Sequence, residues 1–206
     1  MTSIFNLLLV FTLSGSTALA NNKIGNGGNV VLCKIQKTSS VELLDFYEVS
    51  TKIQTTESDA FKIAEKQLQR LKIVAPKLAA QYLQRLAGMQ ADIDYRNNIS
   101  LTTVSDSLHL FKPLDSNCEV VQIAIRKPQT AKDEKHFLIR EDLWKNLSPS
   151  HQAGLLTHEI IYEHFSKLGE KNSIKARKLN RYIFGENLKS DSFWKFIQEL
   201  EIPIYP

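Results

Sequence analysis

Charge is absent from the start of this chain. Residues 1–20 contain no Lys, Arg, Asp or Glu, and residues 4–13, IFNLLLVFTL, form an almost unbroken apolar run. The run turns polar at Ser14, Gly15 and Ser16. A helix needs about 20 predominantly apolar residues to cross a bilayer, so this one stops too early to be a retained anchor. Ala18-Leu19-Ala20 places small residues at the two positions a signal peptidase reads. Together these features predict a secretory signal peptide over residues 1–20. The pattern departs from the usual one at a single point: MTSIFN holds no basic side chain, so only the free amino group supplies positive charge there. No later stretch is a candidate membrane span, and Cys33 lies too far downstream to be a lipidated first residue. The expected location is secreted or periplasmic.

Cysteine is scarce, with two residues in the whole chain. In an exported protein an even pair favours a disulfide. Cys33 sits in NVVLCKI and Cys118 opens CEVVQIAI, both β-branched runs, so the two are expected on neighbouring strands as a Cys33–Cys118 bond. The alternatives are two free thiols or a metal pair, but nothing near either cysteine has metal-ligand spacing. A strong surplus of one charge is also missing. Lys and Arg number 26 against 22 Asp and Glu, a net charge of +4. Nucleic-acid binding usually needs a concentrated basic face. The nearest candidate, Lys171, Lys175, Arg177, Lys178 and Arg181, spreads around a helix and reads as a solvated face. No nucleic-acid partner is expected; weak attraction to acidic cell-envelope polymers is compatible with the balance.

Internal repeats and low-complexity linkers are absent too. The 186 residues left after the signal (206 less 20) fit one domain over residues 21–206. Its opening, NNKIGNGGN, is Asn- and Gly-rich. It precedes a strand and follows none, so it reads as a lead-in and not as a phosphate cradle. Val30–Ile35 is the first predicted strand. VELLDFYEV, from Val41 to Val49, suits a short helix or a buried strand equally. Ser58 is a candidate cap for a helix carrying Phe61, Ala64, Leu68 and Leu71. Pro76 opens a second helix through Leu78, Tyr82, Leu83 and Leu86, making a helical hairpin. Residues 99–111 suit a strand or an irregular crossing, and Pro113–Asn117 a turn. Glu119–Arg126 is the clearest strand, with His136–Ile139 pairing back on it.

Helices fill the remainder. Glu141–Leu147 is short. Ser148-Pro149 starts a helix through Leu168, stopped by Gly169, and Ser173 one through Phe184, stopped by Gly185. Ser190 or Asp191 caps the last, which EIPIYP cannot continue. Strands flanked by helices without regular alternation give an α+β class: a mainly helical, monomeric domain with a small antiparallel sheet.

One helix can carry chemistry. LLTHEIIYEHF holds His158, Glu159, Glu163 and His164. It begins like the H-E-x-x-H helix of zincin metalloproteases, whose two histidines share a zinc while the Glu activates the metal-bound water. Here Tyr162 stands where the second histidine would be. His164 lies roughly 120° away around the helix, at about 100° per residue, and His151 about 10 Å away along it. Neither shares a metal with His158 on a regular helix. His109 or His136, on predicted strands, is needed to complete a site. The helix is apolar nearly all round, hence central and buried, and a buried His or Glu requires a partner. Three readings follow: structural hydrogen bonding, a hydrolase with His158 and Glu159 as catalytic groups, or a polar ligand pocket involving Tyr162 and Glu163. No cofactor is expected on the first reading; zinc belongs to the second. Trp144 and Trp194 read as core or interface residues more readily than as a sugar platform. Asn98-Ile99-Ser100 and Asn146-Leu147-Ser148 match a glycosylation sequon that matters only in a eukaryotic secretory route.

The combination of GNGGNVVLC, VELLDFYE, a later strand beginning at Cys118, and LLTHEIIYEHF followed by Ser173 and RKLNRYIF resembles a group of uncharacterised exported proteins of predatory bacteria. That resemblance spans most of the mature chain. It implies export and the disulfide, and it lends no catalytic residues. The similarity to zincins extends only to His158 and Glu159. The function expected from the sequence is therefore a non-enzymatic secreted or envelope-associated protein that binds a cell-envelope partner. The alternative is a metal-dependent hydrolase of peptides or cell-wall material.

Overall fold

A computed structural model of the chain describes residues 25–26, 28–35, 38–50, 53–101, 113–127, 134–185 and 188–205. The predicted signal peptide, His109 and nearly all of the 99–111 segment lie outside these residues. The class is α+β.

The first strands are β1 (Gly25–Asn26), β2 (Asn29–Ile35) and β3 (Thr38–Leu43). VELLDFYEV, ambiguous by periodicity, turns out to be both structures in succession. Val41–Leu43 finishes β3, and Leu44–Tyr47 forms a helical turn, α1, that carries Asp45 into the interior at 0 % exposure. β2 pairs antiparallel with β3 on one side and with β5 (Cys118–Gln122) on the other. The register sets Cys33 opposite Cys118, and the two are joined by a disulfide.

The strand expected over 119–126 divides at Ile123. The amides of Ile123 and Ala124 both donate to the Gly28 carbonyl, at 3.1 and 3.3 Å, and the chain leaves the first sheet there to enter a second. Its continuation, β6 (Ala124–Arg126), pairs antiparallel with β1 and with β7 (Phe137–Arg140), completing the expected hairpin. β7 also pairs in parallel with β4 (Ile93–Arg96). The strands therefore form two small sheets, antiparallel β3-β2-β5 and mixed β1-β6-β7-β4. Alternation along a strand reports which faces are buried, not which sheet the chain joins, so this division left no trace in the pattern.

Helices α2 (Ala60–Arg70) and α3 (Pro76–Met89) form the expected pair. Asp59, not Ser58, caps α2: its Oδ1 accepts from the amides of Phe61 and Lys62 at 2.9 and 3.3 Å. Then come α4 (Glu141–Trp144), α5 (Pro149–Lys167), α6 (Ile174–Phe184) and α7 (Ser190–Glu199). Ser148 caps α5 as predicted. At the start of α6 the side chain bonding the first helical amide is Asn172, one residue before Ser173.

The central element is α5, of whose 19 residues 13 are buried. It packs against α2, α3, α6 and β3, which is why its sequence shows no polar stripe. Trp144 and Trp194 pack half-buried on the same core. Gly154 marks the closest approach. A Cβ there would run into the Phe46 ring and lie 2.8 Å from Leu43 Cδ2. Gly→Ala inside a helix ordinarily gains up to about 1 kcal/mol. Here overpacking reverses the sign, and Gly154→Ala is expected to destabilise by about 1–3 kcal/mol. A melting temperature equal to or above the parent's would refute that close contact.

Candidate functional site, a polar centre on helix α5

The polar residues of α5 face three neighbours, and each fastens a distant part of the chain. His151 Nδ1 accepts from the Leu43 amide at 3.0 Å. One face repeat later, His158 Nδ1 lies 2.9 Å from Asp45 Oδ2. Glu159 Oε1 accepts from the Gly28 amide at 2.5 Å. These side chains thus hold the lead-in to β2, the end of β3, and α1. From the other side, Asn180 on α6 donates to Asp45 Oδ2 at 2.7 Å and to the Gly154 carbonyl at 2.9 Å. Arg177 and Arg181 flank Glu48, which ties α1 to α6 again.

The centre is closed. His158 is 0 % and Glu159 1 % exposed, and Asp45 and Asn180 are 0 %. Burial works against a charged His158, but the Asp45 carboxylate outweighs it and raises the histidine pKa. Burial likewise opposes ionisation of Asp45, yet His158 and Asn180 hold its pKa below the ordinary carboxylate value. Each partner thus favours the ionised form of the other, the carboxylate of Asp45 and the imidazolium of His158. Glu159 goes the other way: burial raises its pKa, only partly offset by His158 and the Gly28 amide. Gly28 is required where it stands, because a Cβ would strike Leu155 Cδ1 and lie 3.3 Å from Glu159 Oε1.

Tyr162 and Glu163, expected as binding residues, are placed differently from each other. Tyr162 is buried beside His158, ring centres 6.2 Å apart, with the Arg126 guanidinium over its ring at 5.6 Å. Glu163 reaches a cleft between α3 and α5 of about 370 Å³. There it accepts from Arg85 Nε and Lys167 Nζ, both at 2.7 Å. Burial opposes its ionisation, but Lys167 and Arg85 lower its pKa overall. His136, a candidate partner for His158, donates its backbone amide to Asp92 at 2.8 Å, and the charges acting on its ring are Glu163, Asp92, Arg126 and Arg85. It belongs to the neighbourhood of Glu163, not to that of His158. Among the described residues no group of three His, Cys, Asp or Glu side chains is arranged to hold a metal ion.

Asp45, Asn180, Gly28 and Arg85 escaped the sequence reading, and Arg177, read there as part of a solvated face, is instead 4 % exposed beside Glu48. Asp45 carried a usable signal, an acid inside the apolar run LLDFY. A buried carboxylate of that kind demands a cationic or donor partner elsewhere. No family model matches this chain, and no curated protein or solved structure is similar enough to it to show kinship.

Proposed function

We propose that this chain is a non-enzymatic exported protein, secreted or periplasmic, that binds a component of the cell envelope, and that His158 and Glu159 are structural fasteners. One observation carries the reading. Both side chains are enclosed, and each joins α5 to a segment more than a hundred residues earlier, Gly28 or Asp45. A catalytic acid or base must reach the proton it transfers, and neither residue reaches the α3–α5 cleft. The disulfide suits an oxidising compartment, and no described helix is long and apolar enough to cross a membrane.

A second reading has its own observation. His158 Nδ1 faces a carboxylate while Nε2 is buried without a hydrogen-bond partner among the described residues, as is Glu159 Oε2. A carboxylate that orients an imidazole with its other nitrogen free is the usual support of a metal-binding histidine. That arrangement favours the zincin-like hydrolase. The two readings separate on protein purified without chelator. The fastener reading expects sub-stoichiometric zinc and no cleavage of peptides or cell-wall fragments. Stoichiometric zinc that is lost in His158→Ala, from protein that still folds, overturns it.

A further inference from the structure

We infer that the α3–α5 cleft binds a small ligand through a carboxylate. This deepens the binding function proposed above and rests on it. The volume, about 370 Å³, lies in the usual range of small-molecule sites. At about 30 Å³ per water molecule it holds roughly a dozen waters, enough for a dipeptide or one acidic sugar. Its polar walls are Gln81, Gln84 and Arg85 from α3 and Glu163, His164 and Lys167 from α5.

Hydrogen-bond bookkeeping decides the chemistry. Arg85 gives Nε to Glu163 at 2.7 Å and Nη2 to Asp92 at 2.6 Å. That fixes the guanidinium plane and leaves Nη1 without a partner among the described residues. His164 Nδ1 lies 3.1 Å from the Tyr82 hydroxyl. Burial holds the Tyr82 phenol protonated. Burial and Lys167 lower the His164 pKa, so the ring is neutral near pH 7. In the tautomer in which the Tyr82 hydroxyl donates to Nδ1, the imidazole proton sits on Nε2 as a further donor. Lys167, its side chain 70 % exposed and its Nζ 2.7 Å from Glu163 Oε1, adds an ammonium, and the two Gln amides add N–H groups. The only carboxylate on the wall, Glu163, already accepts from Lys167 through Oε1 and from Arg85 through Oε2. Donors therefore outnumber free acceptors, while Asp92 beside Arg85 brings the charge of Arg85, Lys167, Glu163 and Asp92 to zero. Such a wall attracts an acceptor-rich group through its donors, not through net charge. A fixed guanidinium edge suits a planar carboxylate.

Peptide ends and acidic sugars both present that group. Titration calorimetry with the full mature chain uses four probes: alanyl-alanine and its C-terminal amide, and glucuronic acid and its methyl ester. At least one free acid should saturate the protein, and the matching amide or ester should bind at least tenfold more weakly. Which acid binds identifies the source. Gly88 lies on the rim, where a Cβ meets nothing within 4 Å. Gly88→Phe should therefore fill the cleft and abolish binding without lowering the melting temperature. Failure of both acids to saturate at 10 mM (roughly the limit of a weak site, about −2.7 kcal/mol) overturns the inference. So does binding indifferent to Gly88→Phe or to loss of the carboxylate charge. Hydrolysis of the amide or ester, read by mass, overturns instead the non-enzymatic reading and leaves the binding site standing.

Discussion

Replacement of His158 by alanine is expected to remove about 3–5 kcal/mol of folding stability, the usual penalty for breaking a buried ion pair from one side. The change leaves the Asp45 carboxylate in the interior with Asn180 as its remaining partner and opens a void beside Tyr162. Since whole domains are stable by only about 5–15 kcal/mol, the urea midpoint should fall by roughly a fifth or more. Replacing Asp45 by Asn as well should restore part of the loss, because the two residues are in direct contact and their effects do not add. The pH dependence gives a second signature. His158 has a raised folded pKa, so its contribution is complete below the unfolded value of about 6.5 and disappears as pH rises through the folded value. Glu159 is also raised and acts in the same direction, from an unfolded value of about 4.3. Asp45 is lowered, so its contribution is present above about 3.9 and disappears as pH falls through its folded value. The contribution of these three groups should therefore peak on the mildly acid side of neutrality and decline toward alkaline pH, while His136, His151 and His164, whose pKa values burial lowers, act in the opposite direction. His158→Ala should flatten the alkaline limb. An unchanged midpoint, or an identical limb in the variant, would show that the pair is not what holds α1 to α5.

Removal of the disulfide should have a comparable effect. Cys33 and Cys118 are 85 residues apart, and closing a loop of that length contributes about 4.6 kcal/mol in the chain-entropy model. The cysteines pair across β2 and β5 at the end of their shared ladder. That ladder also carries Val30 and Val31, both buried. A Cys33→Ser, Cys118→Ser double variant should unfold at a markedly lower urea concentration, with α5 remaining helical in the native baseline. Parent protein treated with reductant should match the variant. A loss below about 1 kcal/mol would mean that the unfolded chain is already compact between these positions.

The helices were legible because each announces itself locally. Ser148-Pro149 before α5 and Gly185 after α6 are chemical signals confined to a few residues. The disulfide was legible because its two cysteines sit in β-branched runs that pair. What lay outside the sequence was every long-range polar partnership. Nothing near His158 names Asp45, and nothing near Glu159 names Gly28. A single sequence shows that a buried acid or imidazole needs a partner but does not identify it. Glu163 was singled out as a candidate binding residue, but its company, Arg85 and beyond it Asp92, arrives only when α3 lies beside α5. The zincin-like dipeptide His158-Glu159 illustrates the same limit. The identity of Tyr162 excluded a second ligand there, whereas the enclosure of Glu159 depends on the strand lead-in, where Gly28 lies against Leu155 and Glu159.

The fastening of Gly28, Leu43 and Asp45 by residues 151–159 has a temporal consequence. A chain that emerges amino end first delivers β2, β3 and α1 long before the helix that secures them. Contacts so far apart in sequence form late and slowly. Meanwhile Val30 and Leu43 must wait uncovered, a hazard for any nascent polypeptide. Completion of the carboxy-terminal third is thus the event that commits the molecule to its shape. A chain cut before Pro149 would keep the Cys33–Cys118 bond but lose the helix that fastens Gly28, Leu43 and Asp45.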